Sequence, residues 1–421
     1  MNILMATNTY LPHVGGVAKS VHTFTQAYRE AGHMVTVMAP EYGDVPEQES
    51  GVIRVPALQN FNGSDFSVSL PITALLKKKV KSVEPDVIHS HHPFLLGDTA
   101  LRLAAWFGAP LVFTYHTRYE HYTHYVPADS PPIRRFVREL ATEYCNLCDH
   151  VIAPSESVRD LLRERGVATP LTVAPTGIEP CRFSAGDGAT FRAQWGISTT
   201  QFVIGHVGRL APEKNGEFLS HALAGFIQEN PQAHRVVIVG AGPSEAEMRR
   251  IFDQADCSDR VCFTGALSGK DLVDAYSAMD LFAFASKTET QGMVLAEAMA
   301  AGVPVVALDA PGAREIVRDR HNGRLVEKEL IDAFTAALTE MARQPEAERT
   351  RFREEARLSA ERVSVDRCAG RVMEVYRQAR NAARRHTAIN ESSWDPLRGQ
   401  LKREWEIWNE RFSALDSALH P

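Results

Sequence analysis

Short apolar segments alternate with amphipathic helical stretches along this chain, and near residue 174 the alternation stops and then starts again. In the first half the apolar segments fall at 3–5, 34–39, 87–90, 111–114 and 151–154. In the second half they fall at 202–207, 236–239, 261–263, 281–284 and 305–308, with helical stretches at 216–228, 245–254, 271–278 and 292–301 between them. Brief apolar runs without strict alternation read as strands buried on both faces, and a strand–helix–strand rhythm requires parallel pairing with helices covering the sheet. A chain of 421 residues exceeds what one core usually organises, so two such domains are expected. Residues 174–183, Ala-Pro-Thr-Gly-Ile-Glu-Pro-Cys-Arg-Phe, interrupt both periodicities with two prolines and a glycine and read as the hinge.

The expected division is 1–178, 179–365, a helix at 366–385 and a tail at 386–421. A net charge of −6 and 23% charged residues describe an ordinary α/β protein with no polybasic footprint, so nucleic acid is not expected as a partner. No run of about 18 apolar residues could span a bilayer, and Met-Asn-Ile-Leu-Met-Ala enters a strand without a basic leader. A cytoplasmic protein is expected, with the inner face of the membrane as a surface it could rest on. Six scattered cysteines make no disulfide framework, and Cys145-x-x-Cys148 ends a helical stretch at 133–147 with no second pair to complete a zinc site.

Open parallel sheets bind ligands beyond the carboxyl ends of their strands, and the polar motifs fall there. Gly15-Gly16 follows the first strand and precedes a helix at 17–31, where bare backbone could approach a phosphate or a sugar. Arg209 and Lys214 follow the strand at 202–207 and could neutralise a diphosphate. Glu289 lies in the loop after 281–284, and Glu297 sits eight positions later in the second turn of the helix at 292–301. The amides of Gln291, Gly292 and Met293 would point at a ligand from the positive end of that helix. Val294, Ala296, Ala298, Met299 and Ala300 surround Glu297 with apolar groups, so its carboxylate needs a partner. Two carboxylates that can hold sugar hydroxyls, beside an arginine and a lysine, suit a nucleotide-sugar site.

From Met1 to about residue 380 the chain resembles the retaining glycosyltransferases of family 4. The resemblance rests on Gly15-Gly16, Pro85-Asp86-Val87-Ile88-His89, Thr114-Tyr115-His116-Thr117, Pro154-Ser155, Gly208-Arg209-Leu210, Glu213-Lys214, Gly240-Ala241-Gly242-Pro243 and Glu289-x7-Glu297. It implies the GT-B fold: two Rossmann-like parallel-sheet domains facing each other across a cleft. It also implies that Arg209, Lys214 and Gly16 hold the donor diphosphate and that Glu297 holds the nucleotide ribose. Glu289, Gln291, Gly292, Met293 and Val294 would hold the donor hexose, with His116 reaching that sugar from the opposite domain. Catalytic roles fall to His116 and Glu289. Asn215 stands where glycine commonly follows the lysine, and Gln291 where phenylalanine often precedes the glycine.

Residues 114–127, Thr-Tyr-His-Thr-Arg-Tyr-Glu-His-Tyr-Thr-His-Tyr-Val-Pro, together with Thr288-Glu289-Thr290-Gln291-Gly292, resemble bacterial enzymes that glucosylate 1,2-diacylglycerol. The expected activity is therefore hexose transfer from UDP-glucose to a lipid acceptor. A transferase using a soluble sugar or glycan acceptor is the alternative. No metal and no cofactor are expected, the nucleotide sugar being a substrate. His89, His91, His92, His116, His121 and His124 invite a metal reading, but no Asp-x-Asp motif stands at a strand end. Lys77, Lys78, Lys79 and Lys81 on a helix at 72–83, and Arg134, Arg135 and Arg138 on another, could meet an anionic surface. Residues 1–180 carry 15 lysines and arginines against 18 acidic residues, so that domain is not basic overall. A helix at 372–385 should return to the first domain, and Trp405, Trp408 and Phe412 share a helical stripe suited to docking there.

Two other classes of chemistry fit less well. A glycoside hydrolase would use both glutamates as acid and base and leave Arg209 and Lys214 without a task. A dinucleotide oxidoreductase needs Gly-x-Gly-x-x-Gly after a strand, which Gly240-Ala241-Gly242-Pro243-Ser244-Glu245 does not complete.

Overall fold

A computed structural model of the chain describes residues 1–13, 15–42, 49–58, 68–69, 79–121, 130–230 and 234–389. The chain divides into two compact units, Met1–Thr176 with the segment from Cys368 onward, and Gly177–Arg367.

The first unit carries a parallel sheet of seven described strands. Their order is Val52–Val55, Met34–Pro40, Asn2–Ala6, Val87–Ser90, Leu111–Thr114, His150–Ala153 and Leu171–Val173. Central strands such as Val87–Ser90 and Leu111–Thr114 are buried at every position, as a sheet covered on both faces requires. One covering helix, Glu156–Glu164, starts where the Ser155 hydroxyl accepts the Val158 amide at 3.3 Å. Within this unit the last helix among the described residues, Val365–Ile389, brings Tyr376 against the Tyr28 ring and the His89 imidazole, and Arg380 and Arg384 each approach Asp86 at 3.6 Å.

The second unit has six described parallel strands in the order Val261–Gly265, His234–Val239, Phe202–Val207, Leu281–Phe284, Val305–Leu308 and Gly323–Val326. Two apolar clusters flank the sheet. One gathers Val203, Tyr276, Phe282 and Leu295, and the other gathers Ile204, Leu219, Phe226 and Leu281. Alternate residues of one strand therefore serve opposite faces.

Besides the two-residue strands Ala57–Leu58 and Val68–Ser69, which pair antiparallel with each other, three strands escape the apolar-run signal: Val52–Val55, Leu171–Val173 and Gly323–Val326. Each is outermost in its sheet and contains residues that are only half-buried, so less of it had to be apolar. The helix at 72–83 requires a correction as well. Helical geometry among the described residues ends at Val80, and exposed Lys81 lies in the turn that follows. Lys77 and Lys78, His124 and the other residues at 122–129, and the tail with Trp405, Trp408 and Phe412 lie outside the described residues.

Candidate active site

In the second sheet, the chain leaves Phe202–Val207 in one direction toward His234–Val239 and returns on the other side as Leu281–Phe284. The loops after those two central strands therefore diverge, and a crevice opens between them at the carboxyl edge. The first loop runs through Arg209 into a 3-10 turn, Pro212–Lys214, which ends at Asn215 with φ of +60° before the helix Gly216–Glu229 begins. The second loop carries Glu289 and ends at Gly292, whose φ of +67° caps the helix Met293–Ala300. The helix thus starts one residue later than the periodicity suggests, because Gly292 takes the left-handed conformation rather than the first helical position.

Lys214 and Glu289, 75 positions apart, meet across this crevice in an ion pair. Their side chains retain 20% and 19% exposure, sheltered yet reachable by a ligand. Arg209 pairs with Glu213, and its own side chain remains 48% exposed. Three side chains tie the two loops together. The hydroxyls of Ser286 and Thr288 donate to the Glu213 carbonyl at 3.4 and 3.2 Å. The Asn215 amide donates to the Ala285 carbonyl at 3.3 Å and to Glu329 at 2.7 Å, and Glu329 also holds Lys287 at 2.5 Å.

Glu297 is 3% exposed, and the partner its apolar surroundings demand is Tyr276, whose hydroxyl donates to Oε2 at 2.9 Å. Burial, and then the adjacent carboxylate, push the Tyr276 phenol well above its usual range, so it remains a donor. Beneath the crevice, buried His206 holds the Ala283 carbonyl at 3.1 Å, and burial pushes its pKa down to about 4. A carbonyl can only accept, so the His206 proton sits on Nδ1.

Gly312 keeps the Glu289 loop close. A Cβ at this position would stand 2.5 Å from Glu289 Cβ, and its φ of +84° disfavours any larger residue. The glycines of Gly240-Ala241-Gly242 do similar work against the Arg209 loop. Side chains there would meet the Gly208 and Leu210 carbonyls at 1.9 and 2.3 Å, so the motif packs backbone on backbone.

The first unit has its own crevice, where Asn2–Ala6 and Val87–Ser90 lie side by side and their following loops diverge. Gly15 caps the helix Gly16–Glu30, and a Cβ at Gly16 would meet nothing within 4 Å, which leaves the helix start open to approach. His89 lies within Val87–Ser90, His91 and His92 follow that strand, and His116 joins them from the loop after Leu111–Thr114. His91 Nδ1 lies 2.9 Å from His116 Nε2. His89 bonds Tyr376 at 2.6 Å and Thr114 at 2.7 Å. Burial pushes His89, His92 and His116 down to about 3, and His91 well below its usual range, so these rings are neutral at ordinary pH. No group of three or more histidine, cysteine or acidic residues suited to a metal ion forms among the described residues. Cys145 and Cys148 are both buried thiols.

Residues 14–182 match the model of Glycosyltransferase Family 4, and residues 187–359 match that of Glycosyl transferases group 1. The chain belongs to glycosyltransferase family 4. This transferase is 31% identical to the alpha-monoglucosyldiacylglycerol synthase of Streptococcus pneumoniae over 346 residues, covering 80% of this chain and 78% of that one. It is 30% identical to a GDP-mannose-dependent alpha-mannosyltransferase of Mycobacterium tuberculosis over 360 residues, covering 82% and 89%. In three dimensions it is similar to a sucrose-phosphate synthase from Thermosynechococcus elongatus, with a TM-score of 0.72 at 24% identity over 90% of this chain and 99% of that one. The fold is GT-B.

Within the second unit, the structure brings Lys214 to Glu289 and places Arg209 on the same loop as Lys214. Glu297 lies one helical turn into Met293–Ala300, the element that Glu289, Gln291 and Gly292 lead into. His116 and Gly16 belong to the first unit. Sequence reasoning missed Tyr276, Gly312 and Glu329, and it singled out His91 only as a candidate metal ligand and not as the neighbour of His116. Tyr276 stands 21 positions before Glu297 on another helix, and nothing local marks it. Asn215 did leave a signal, because an asparagine beside the lysine is one of the few residues besides glycine that accept a left-handed turn.

Proposed function

We propose that this transferase moves a hexose from a nucleotide diphosphate, UDP-glucose, to the hydroxyl of a lipid such as 1,2-diacylglycerol, with retention of anomeric configuration. The observation that carries the donor half is the Lys214–Glu289 ion pair at the crevice of the second sheet, with Arg209 on the loop before it. An arriving diphosphate would compete with Glu289 for the ammonium and with Glu213 for the guanidinium. The freed Glu289 carboxylate then faces the sugar. Glu297, already oriented by Tyr276, would accept from the ribose hydroxyls, and the amides of Gln291, Gly292, Met293 and Val294 would line the hexose.

In the reaction the bond from the anomeric carbon to the phosphate oxygen breaks and the acceptor oxygen attacks from the same face. The acceptor proton passes to the departing phosphate. Arg209, Lys214 and the positive end of the Met293–Ala300 helix stabilise the leaving charge, which is the largest contribution expected at such a site. This chemistry needs no cofactor and no metal, because side chains supply the positive charge. Gly16 would add a helix start on the phosphate, and His116 would hold the hexose.

The monoglucosyldiacylglycerol synthase of Streptococcus pneumoniae favours glucose as the hexose and a glucosyldiacylglycerol as the product, and no helix among the described residues is long and apolar enough to cross a membrane. The acceptor would then be reached from a peripheral position on the inner membrane face, with exposed Lys79 and Lys81 beside anionic lipid. Each such lysine contributes about 1 kcal/mol near an anionic surface, and the contribution falls with salt. A second reading is glucosyl or mannosyl transfer to a soluble sugar or glycan acceptor, and the GDP-mannose dependence of the Mycobacterium tuberculosis relative favours mannose as the hexose. Incubation of UDP-glucose or GDP-mannose with anionic diacylglycerol vesicles, followed by lipid extraction and proton NMR of the product, separates the two. An α-linked glucolipid supports the first reading. Transfer only to soluble sugars overturns its lipid half, and activity on vesicles unaffected when Lys77, Lys78, Lys79 and Lys81 become serine overturns the lysine contact with the membrane.

A further inference from the structure

Lys214 and Glu289 come from loops on opposite sides of the second unit's crevice, and their ion pair neutralises the ammonium that the proposed diphosphate requires. The loops are held together independently of this pair. Ser286 and Thr288 donate to the Glu213 carbonyl, Asn215 donates to the Ala285 carbonyl, and Glu329 links Asn215 with Lys287. Gly312 also limits where Glu289 can go, because a Cβ built on that glycine would lie 2.5 Å from Glu289 Cβ. The backbone there blocks retreat, so the carboxylate stays in the crevice when it gives up Lys214.

A diphosphate bound to Lys214 therefore faces a carboxylate that it has deprived of its cation. The two anions repel, and a Glu289 side chain only 19% exposed leaves water little room to screen them. A hexose attached to the diphosphate changes this balance, because its hydroxyls can donate to the displaced carboxylate and replace the bond it lost.

We infer that Glu289 makes the site discriminate between the loaded donor and the spent nucleoside diphosphate, lowering affinity for the spent nucleotide while leaving the donor little affected. The inference rests on the proposed reading of Lys214 as a diphosphate ligand and of Glu289 as the residue facing the hexose. Once the hexose has left with the acceptor, Glu289 loses its hydroxyl partners and competes again for Lys214, which promotes release of the nucleotide. The Arg209–Glu213 pair does not share this role. Its partners are four positions apart on one loop, and the arginine side chain is 48% exposed, so water screens that competition with or without a sugar.

Calorimetric titration of UDP, GDP, UDP-glucose and GDP-mannose into the full chain, without acceptor, gives the readout. For the nucleotide that the wild type binds, Glu289→Gln is expected to tighten the bare diphosphate about 10-fold and to change the affinity of the corresponding nucleotide sugar by less than about 3-fold. Unchanged or weaker binding of the bare diphosphate overturns the inference. Equal tightening of both ligands overturns it too, since the hexose would then not compensate the carboxylate. Lys214→Ala separates this failure from failure of the diphosphate site. Undiminished nucleotide binding in Lys214→Ala removes the donor assignment itself, whereas weak binding there without tightening in Glu289→Gln removes only the discrimination. Glu289→Ala deletes the same charge and is expected to tighten the bare diphosphate likewise, so the test still decides if the glutamine variant does not fold.

Discussion

The two units of this transferase place polar residues at the same topological position and arm them in opposite ways. Both sheets open a crevice where consecutive strands part, yet the second unit fills its crevice with Lys214, Glu289 and Arg209, all charged and partly exposed. The first unit fills its crevice with His89, His91, His92 and His116, neutral and largely enclosed. The fold thus decides where a ligand can bind, and the side chains decide what kind. A diphosphate needs compensating charge, whereas a sugar bearing only hydroxyls needs donors and acceptors fixed in direction.

The sharpest way to break this contrast is to remove charge from the second unit. Lys214→Ala and Arg209→Ala are each expected to lower turnover about 100-fold or more, because a preorganised contact to the leaving phosphates is lost. Initial rates with saturating donor check this, and near wild-type rates in both variants would dissolve the assignment. Glu297→Gln should weaken binding of the bare nucleoside diphosphate, whereas Glu289→Gln should chiefly slow the chemical step, since the hexose and not the ribose becomes positively charged. Tyr276→Phe should follow Glu297→Gln with a smaller effect, about 10-fold in nucleotide affinity, as expected for a hydrogen bond to a charged group.

Backbone placement gives the next effect. Gly312→Ala should cost about 1–3 kcal/mol of stability and displace Glu289, since the new Cβ meets that residue and φ is positive. Urea unfolding with parallel rate measurements tests it; a variant that is fully stable and fully active would show that the close approach is unnecessary.

The first unit should respond to acid instead. His89, His92 and His116 have folded pKa values depressed to about 3, so in the unfolded chain they bind protons first. Their contribution to stability is intact above about pH 6.5 and is lost progressively as pH falls toward 3. Unfolding midpoints followed from neutral pH to about pH 5 should decline, and substituting His92 by Asn should flatten the decline; a pH-independent midpoint would contradict the neutral cluster. The smallest effect belongs to Asn215→Gly. Glycine accepts the positive φ, so stability should change by no more than about 1 kcal/mol, while the lost tether to Glu329 lowers turnover a few-fold.

Much of this contrast was legible in the sequence, and the part that was not has a common cause. Central strands announce themselves because both faces are buried, while Val52–Val55, Leu171–Val173 and Gly323–Val326 stand at sheet edges and keep polar positions. Arg209, Lys214, Glu289 and Glu297 stand out because charge beside a buried strand end is unusual. Tyr276, Gly312, Glu329 and the pairing of His91 with His116 depend on contacts between distant segments, and such contacts leave no local period. The helix start at Met293, one residue past the expected position, reflects the αL cap at Gly292, a conformational choice that composition does not resolve.

The account turns on whether the second unit holds a nucleoside diphosphate through Lys214 and Glu297. Calorimetric titration of UDP and of GDP into the wild-type chain, Lys214→Ala, Glu297→Gln and His116→Gln tests this most directly. The prediction is that one of the two nucleotides binds the wild type, that its affinity falls at least about 10-fold in Lys214→Ala and Glu297→Gln, and that it is unchanged in His116→Gln. Undiminished binding in Lys214→Ala and Glu297→Gln would contradict it.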